Sequence, residues 1–225
     1  RSYWKDLLDA HGPALYRMNF QVPDLPGTVA ALQQLSGRLV VGTPEGGGTN
    51  VTLWPRFGFA VELGARPAAA PAQAPAAPPL SGFAANTVSK ISLVVPDIHK
   101  AVTPYASIFG TVVPSVRDRH VTVTADGKTR RLRLRSAILD IPGDLDIELV
   151  EPPSGTDPWS AHQRRHGAHA LFSVGVRVAN VAEAVTYLVS KGGVVKAGAQ
   201  AGTFALVDLT DQLGVRFELH AGDAR

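Results

Sequence analysis

Apolar residues recur along this chain at two spacings. Some stretches place them three or four apart, which predicts helices, and others alternate or run briefly apolar, which predicts strands. Trp4, Leu7 and Leu8 give one helical face over Tyr3 to His11, and Gly12-Pro13 ends it. Ala14 to Val22 reads as a strand. Pro23-Asp24 opens a helix through Leu35, with Val29, Leu32 and Leu35 on one face, and Ser36-Gly37 closes it. Arg38 to Val41, Asn50 to Trp54 and Phe57 to Leu63 read as three short strands, so the unit runs strand, helix, three strands.

The same order returns from Thr87. Val88 to Val95 is a predicted strand, Pro96-Asp97 opens a helix and Phe109-Gly110 ends it. Strands are expected at Val112 to Val116, His120 to Ala125, Thr129 to Leu139 and Leu145 to Val150, with Asp126-Gly127 as a hairpin turn. A third round has a helix from Trp159 to His166, Gly167, a strand to Val178, a helix from Val181 to Ser190, a break at Gly192-Gly193, and three strands ending at Leu219. Residues 65–86 are dominated by Ala and Pro, cannot pack a core, and read as an extended linker.

The first and third rounds are copies. Trp4 through His11-Gly12 matches Trp159 through His166-Gly167, and Pro23-Asp24 matches Ala179-Asn180. Leu32, Gly37 and Glu62 match Leu188, Gly193 and Glu218 with a one-residue insertion in the second copy. Such a repeat constrains the fold more than any single motif. It suggests two or more similar strand–helix–strands modules sharing a curved mixed sheet. Each round closes on an apolar strand bearing a carboxylate: Glu62 in GFAVEL, Glu148 in DIELVEP and Glu218 in GVRFELH. A buried carboxylate is costly unless it is paired, bound to a metal or protonated.

Composition narrows the classes. The chain has 225 residues, 45% hydrophobic and 18% charged, as expected of one large or two small globular domains. Net charge is +3, and Arg130, Arg131, Arg133 and Arg135 alternate with Leu132 and Leu134, which fits a strand with one solvated face better than a nucleic-acid stripe. Without cysteine, thiol catalysis and thiolate metal sites are excluded. No apolar run approaches the roughly 20 residues of a bilayer span, and no signal peptide is visible, so a cytoplasmic protein is expected. Arg1 rather than Met stands first, which suggests a chain that is trimmed or begins inside a longer product.

The runs ISLVVPDIHKAVTPYASIFG (Ile91 to Gly110), IELVEP (Ile147 to Pro152), HGAHALFSVGVRVANVAEAVTYLVSKGG (His166 to Gly193) and GVRFELH resemble the vicinal oxygen chelate superfamily, which includes glyoxalase I, methylmalonyl-CoA epimerase, extradiol dioxygenases and bleomycin-resistance proteins. The resemblance implies an α+β fold of paired βαβββ modules forming curved mixed sheets around a cleft, with residues 87–222 as a complete pair. Residues 1–64 then resemble only the second half of a pair, whose missing half-module is absent from this chain or supplied by a partner, so a homo-oligomer is one expectation.

In metal-using members the first strand of a module carries a His where this chain has Lys90, Ser173 and, in the first unit, Arg17. Only the carboxylate positions Glu148, Glu218 and Glu62 are kept. An ammonium beside two carboxylates makes a poor divalent site, so no cofactor is expected. The alternative is a shifted metal site of Glu148, Glu218, His220 and His169, His220 facing the same side of its strand as Glu218. Without metal, Lys90 is expected to pair with one carboxylate, leaving the other unpaired, with a raised pKa, as general acid or base. Lys90, Glu148, Glu218 and His220 are therefore the catalytic candidates; the opposing expectation is a structural ion pair in an old metal cavity. Ser173, Arg17, Glu62, Trp54 and Trp159 are the substrate-binding candidates, the two tryptophans beside Pro55 and Pro158 as pocket rims. The expected function is a small-molecule lyase or isomerase working by elimination, epimerisation or cyclisation. The alternatives are a non-catalytic binding or antibiotic-resistance protein and a divalent-metal epimerase or glyoxalase-like enzyme.

Overall fold

The structure, a computed structural model, describes residues 3–12, 14–35, 37–43, 48–54, 56–65, 87–125, 128–141, 145–198 and 202–221. Most of the linker and the Asp126-Gly127 turn lie outside the described residues. The chain divides into two compact units.

The first unit holds α1 (Tyr3–His11), β1 (Arg17–Val22), α2 (Leu25–Gln34), β2 (Arg38–Thr43), β3 (Gly48–Thr52) and β4 (Ala60–Ala65). Its sheet has the order β1-β4-β3-β2, with β1 parallel to β4 and the other pairs antiparallel. This is one βαβββ module. Leu25, Val29 and Leu32 of α2 are buried, as are Met18, Val51, Val61 and Leu63 of the sheet it covers.

The second unit contains two such modules. The first is β5 (Thr87–Val94), α3 (Ile98–Phe109), β6 (Arg117–Ala125), β7 (Lys128–Ile141) and β8 (Leu145–Glu151). After α4 (Pro158–His166) comes the second: β9 (Ala170–Val178), α5 (Val181–Ser190), β10 (Val194–Gly198), β11 (Phe204–Leu209), the short helix α6 (Thr210–Leu213) and β12 (Val215–Ala221). The two sheets join through antiparallel β5 and β9 and close where β6 meets β10 at Ala197↔Val123 and Gly198↔Thr122. The result is a closed barrel, β10-β11-β12-β9-β5-β8-β7-β6.

The repeated residues have physical reasons. Asp24, Asp97 and Asn180 are the N-caps of α2, α3 and α5, each accepting a backbone N–H of the first turn. After α2, Gly37 donates to Leu32 O, and a Cβ there would lie 2.6 Å from that oxygen and 2.9 Å from Val51 Cγ1. Gly193 repeats this after α5, with Leu188 O and Val207 Cγ1 both at 2.8 Å. Both glycines therefore permit the helix to turn back closely onto its sheet.

Two expectations need correction. Val112 to Val116 is not a strand; β6 starts at Arg117, and Val112 is 89% exposed, so this apolar run has no sheet to join. The last two strands are also separated by the short helix α6, which the hydrophobic pattern does not predict. The barrel interior divides in two. At the end where β9 begins, Val94, Val121, Leu134, Val150, Phe172 and Leu206 pack around Trp159. Toward the other end the inward positions are polar.

Candidate functional site

Strand register brings the polar layer together. Glu148 on β8 lies opposite Ser92 on β5, and Glu218 on β12 lies opposite Gly175 on β9. Lys90 is two residues before Ser92 and shares its face. Its neighbour across the β5–β9 seam is Gly175, where an added Cβ would stand 2.7 Å from Lys90 Cβ. The glycine leaves the space through which the lysine stem passes.

The Lys90 ammonium donates to Glu148 Oε2 at 2.6 Å and to Glu218 Oε2 at 2.7 Å. Ser92 Oγ donates to Glu218 Oε1 at 2.9 Å, with Glu148 Oε2 as its alternative acceptor at 3.3 Å, and Ser173 Oγ donates to Glu218 Oε1 at 2.6 Å. Arg119, from β6, donates through Nη1 to both Glu148 oxygens at 2.9 and 3.0 Å, and its Nη2 lies 3.7 Å from Glu218 Oε2. The guanidinium rests 4.8 Å over the Phe204 ring. Two cations thus balance two carboxylates, and both carboxylates are buried.

This arrangement corrects one expectation. Neither carboxylate is left unpaired with a raised pKa. Burial pushes the Glu148 pKa up, but the charges of Lys90 and Arg119 outweigh it and hold the group below the ordinary carboxylate range. Glu218 is held well below that range: burial again opposes, and Lys90, the nearby His220 and Arg119 prevail. For Lys90, burial favours the neutral amine, yet Glu218 and Glu148 raise its pKa. All three stay charged at neutral pH.

His220 lies one inward position beyond Glu218. Its Nε2 is 3.6 Å from Glu218 Oε2, too long for a hydrogen bond, and the contact is electrostatic. That nitrogen has no hydrogen-bond partner among the described residues. Above the network the barrel opens into a cavity of about 530 Å³ lined by Ser89, Lys90, Ile138, Asp146, Arg177 and His220, with Thr203 and Ala221 at its edge.

The other candidates fall elsewhere. His169 precedes β9, at the apolar end of the barrel, where its Nδ1 lies 3.2 Å from the Tyr105 hydroxyl. The shifted set of Glu148, Glu218, His220 and His169 is therefore not assembled. Among the described residues no group of three or more His, Asp or Glu side chains converges as a metal site would require. Lys90 Nζ also occupies the point between the carboxylates that a shared cation would take, so these residues do not fit a divalent ion. Trp159 is no pocket rim: it is fully buried and stacks on Phe172 with centroids 5.3 Å apart. Trp54 belongs to the first unit, where it packs 4.7 Å from the His11 ring. Arg17 and Glu62 pair with each other in that unit at 3.0 Å.

Sequence reasoning missed Arg119, Ser92, Asp146, Arg177 and the role of Gly175. Arg119 alternates with Val121 and Val123 on one strand face, a signal masked by the flanking Arg117, Asp118 and His120. Beneath the layer, His162 is a structural histidine. Its Nε2 donates to Leu171 O at 2.8 Å and its Nδ1 accepts from Arg216 at 2.9 Å. Burial first, then Arg216 and His166, push its pKa down to about 2, which keeps it neutral.

No helix among the described residues is long and apolar enough to cross a membrane. No family model matches the chain, and no curated protein sequence matches it. Solved structures do. A mutant of 4-hydroxymandelate synthase from Streptomyces coelicolor is 11% identical, covering 98% of this chain and 74% of that one, with a TM-score of 0.62. BphC, a halotolerant catechol dioxygenase, is 16% identical, covering 92% and 67%, with a TM-score of 0.51. Methylmalonyl-CoA epimerase from Mycobacterium tuberculosis is 18% identical, covering 60% and 87%, at 0.45. At such identities the likeness concerns the fold, and it agrees with the modules, register and barrel described above: the chain carries the fold of the vicinal oxygen chelate superfamily.

Proposed function

We propose that the second unit is a small-molecule lyase or isomerase that works by proton transfer in the barrel mouth, with His220 rather than a carboxylate as the proton carrier. The observation that carries this reading is the neutralised layer beneath the cavity. Glu148 and Glu218 are already bonded to Lys90 and Arg119, which makes them weak bases. His220 borders the same cavity with its side chain 29% exposed, while its Nε2 is buried on the side of the Glu218 charge. A neutral imidazole there removes a proton from carbon next to a carbonyl, and the Glu218 charge stabilises the imidazolium that forms. Lys90 has three donors and spends two on glutamates, so the third is available to a developing oxyanion in the cavity it lines. Return of the proton gives isomerisation, and loss of a leaving group gives elimination. His220, Glu218 and Lys90 suffice for either outcome.

The test is deuterium wash-in. The intact protein is incubated in D₂O with small ketones, thioesters and carboxylic acids, and exchange next to the carbonyl is followed by NMR. Exchange is expected with the native protein, with a loss of about a hundredfold in His220→Gln while binding is retained. A second reading, a non-catalytic binding protein, is favoured by the same closed ion pairs, since a layer whose charges are already matched also suits a passive floor. Binding without any exchange would select it.

In the first unit, β1 is the outer strand of its sheet, whereas its counterparts β5 and β9 pair with each other. We propose that another βαβββ module pairs with this edge, in a second copy or in a longer polypeptide. Light scattering at micromolar concentration tests the second-copy form: a dimer supports it, and a monomer refutes it.

A further inference from the structure

Among the described residues, the charges of the layer beneath the cavity are matched. Lys90 and Arg119 meet Glu148 and Glu218, and deeper in, Arg216 meets Asp208 at 3.2 Å. Arg177 on β9 and Asp146 on β8 also face the cavity. Neither makes an ion pair or a side-chain hydrogen bond with any described residue, and they do not pair with each other. Of the Lys, Arg, Asp and Glu side chains that line this cavity, Lys90 is paired and Arg177 and Asp146 are not.

Their placement is defined by the strands. β8 and β9 flank β5 on opposite sides, and Arg177 lies two residues along β9 from Gly175, the residue level with Asp146, so the two stand roughly 12 Å apart at the backbone. Register puts Arg177 directly beside His220 and Asp146 directly beside Lys90. The small polar Ser89 lies on β5 between them, and the half-exposed side chain of Ile138 stands beyond Asp146 on β7.

We propose that the barrel mouth binds a zwitterion, an amino-acid-like molecule whose carboxylate sits on Arg177 and whose ammonium sits on Asp146. Arg offers a planar fork that matches a carboxylate. A partly enclosed Asp is the complementary site for an ammonium group. The cavity of about 530 Å³ lies within the rough 300–1,000 Å³ range of small-molecule pockets and leaves room for a side chain against Ile138. A carboxylate on Arg177 brings the adjacent carbon to His220, its neighbour in register. The inference rests on the proton-transfer reading above only for what happens to that carbon; the binding mode stands on Arg177 and Asp146.

The experiment measures binding to the intact chain by ligand-observed NMR and calorimetry at neutral pH. The probes are the proteinogenic L-amino acids, the same molecules lacking the amino group, and the corresponding amines lacking the carboxylate. The expected result is that at least one amino acid binds about tenfold or more tightly than both of its singly charged counterparts. Arg177→Gln should remove its advantage over the amine, and Asp146→Asn its advantage over the acid. Neither side chain has a partner to lose among the described residues, and far-UV circular dichroism with a urea midpoint verifies that the variants fold. The proposal is overturned if no amino acid binds below about 10 mM, if a desamino acid binds equally well, or if either variant keeps the full preference. The two readings fail separately. Desamino acids that bind and exchange deuterium would sink the zwitterion and keep the enzyme, whereas zwitterions that bind without exchange would do the reverse.

Discussion

Glu62 and Glu148 occupy the same place in two copies of one module. Glu62 faces Asn19 across β1 and β4, and Glu148 faces Ser92 across β5 and β8. In each copy the cation two residues before the facing position reaches the carboxylate, Arg17 at 3.0 Å and Lys90 at 2.6 Å. The surroundings then diverge. The Arg17 and Glu62 side chains are 44% and 33% exposed, on a sheet that stays open; those of Lys90 and Glu148 are 10% and 3% exposed, inside a closed barrel. The cation–carboxylate couple is thus a property of the module, while Arg119, Ser92 and Ser173 answer to closure. An exposed pair is solvated by water and is worth little. A buried one must have every charge and lone pair met.

The sharpest way to break this comparison is to remove the buried cation. Lys90→Met leaves two carboxylates facing one guanidinium, and we expect a loss of about 3–5 kcal/mol in urea unfolding of the full chain. A loss below about 1 kcal/mol would mean that the layer is as well solvated as the first module's pair. Adding Glu148→Gln to Lys90→Met should recover part of the loss, because Arg119 and Glu218 then balance. A double variant no more stable than the single one would show that charge balance is not what holds the layer.

The pH dependence follows from the same groups. The folded pKa values of Glu148 and Glu218 are lowered, so their contribution is present above the ordinary value of 4.5 and is lost as pH falls through the folded values. Lys90 is raised above 10.5, so its contribution is full below that pH and is lost as pH rises through its folded value. The urea midpoint of the barrel should therefore be level from about pH 6 to 9 and fall on both sides. Each tenfold difference in a group's acidity between the folded and unfolded chain is worth about 1.4 kcal/mol. A midpoint that rises as pH drops from 6 to 4 would contradict ionised carboxylates in the fold.

These groups also mark how far the sequence could be read. Module order, the N-caps at Asp24, Asp97 and Asn180, and the glycines after α2 and α5 were legible because local physics puts particular residue types there. Lys90, Glu148, Glu218 and Ser173 were legible as one layer through the family resemblance, and His220 through its spacing from Glu218. Arg119 was not, because in RDRHVTVTA it sits among charges that do face solvent, and only barrel closure turns its face inward. Trp159 and Trp4 share a motif, yet Trp159 is sealed in the barrel while Trp4 lies beneath the Arg17 guanidinium, 5.3 Å from it. The repeat reveals position within a module; burial depends on which module stands opposite.

A smaller effect is expected where the lysine passes its neighbour. Gly175→Ala would place a methyl 2.7 Å from Lys90 Cβ, near the rigid root of the side chain rather than its flexible end. We expect a destabilisation of about 1–3 kcal/mol from overpacking. Combined with Lys90→Ala, where Cβ remains, the penalty should persist in part. Full relief would show that the clash is with the outer lysine stem, whose Cε lies 3.2 Å from the same point.

The smallest effect should come from Arg17→Met, the counterpart of the first substitution. Removing Arg17 leaves Glu62 partly open to water, so no carboxylate is stranded away from solvent. The loss of the 3.0 Å pair and of the contact with Trp4 should together cost about 1 kcal/mol or less in the same urea assay. The comparison predicts a difference of several kcal/mol between two substitutions at equivalent positions. If Arg17→Met costs as much as Lys90→Met, the first module's pair is buried in the working protein. The partner proposed for the β1 edge would then be the natural cause, because a second module across that edge would enclose Arg17 and Glu62 as β5 and β9 enclose Lys90 and Glu218. The protein-concentration dependence of the Arg17→Met midpoint separates the cases: a second-copy partner makes it vary with concentration, and an open sheet leaves it constant.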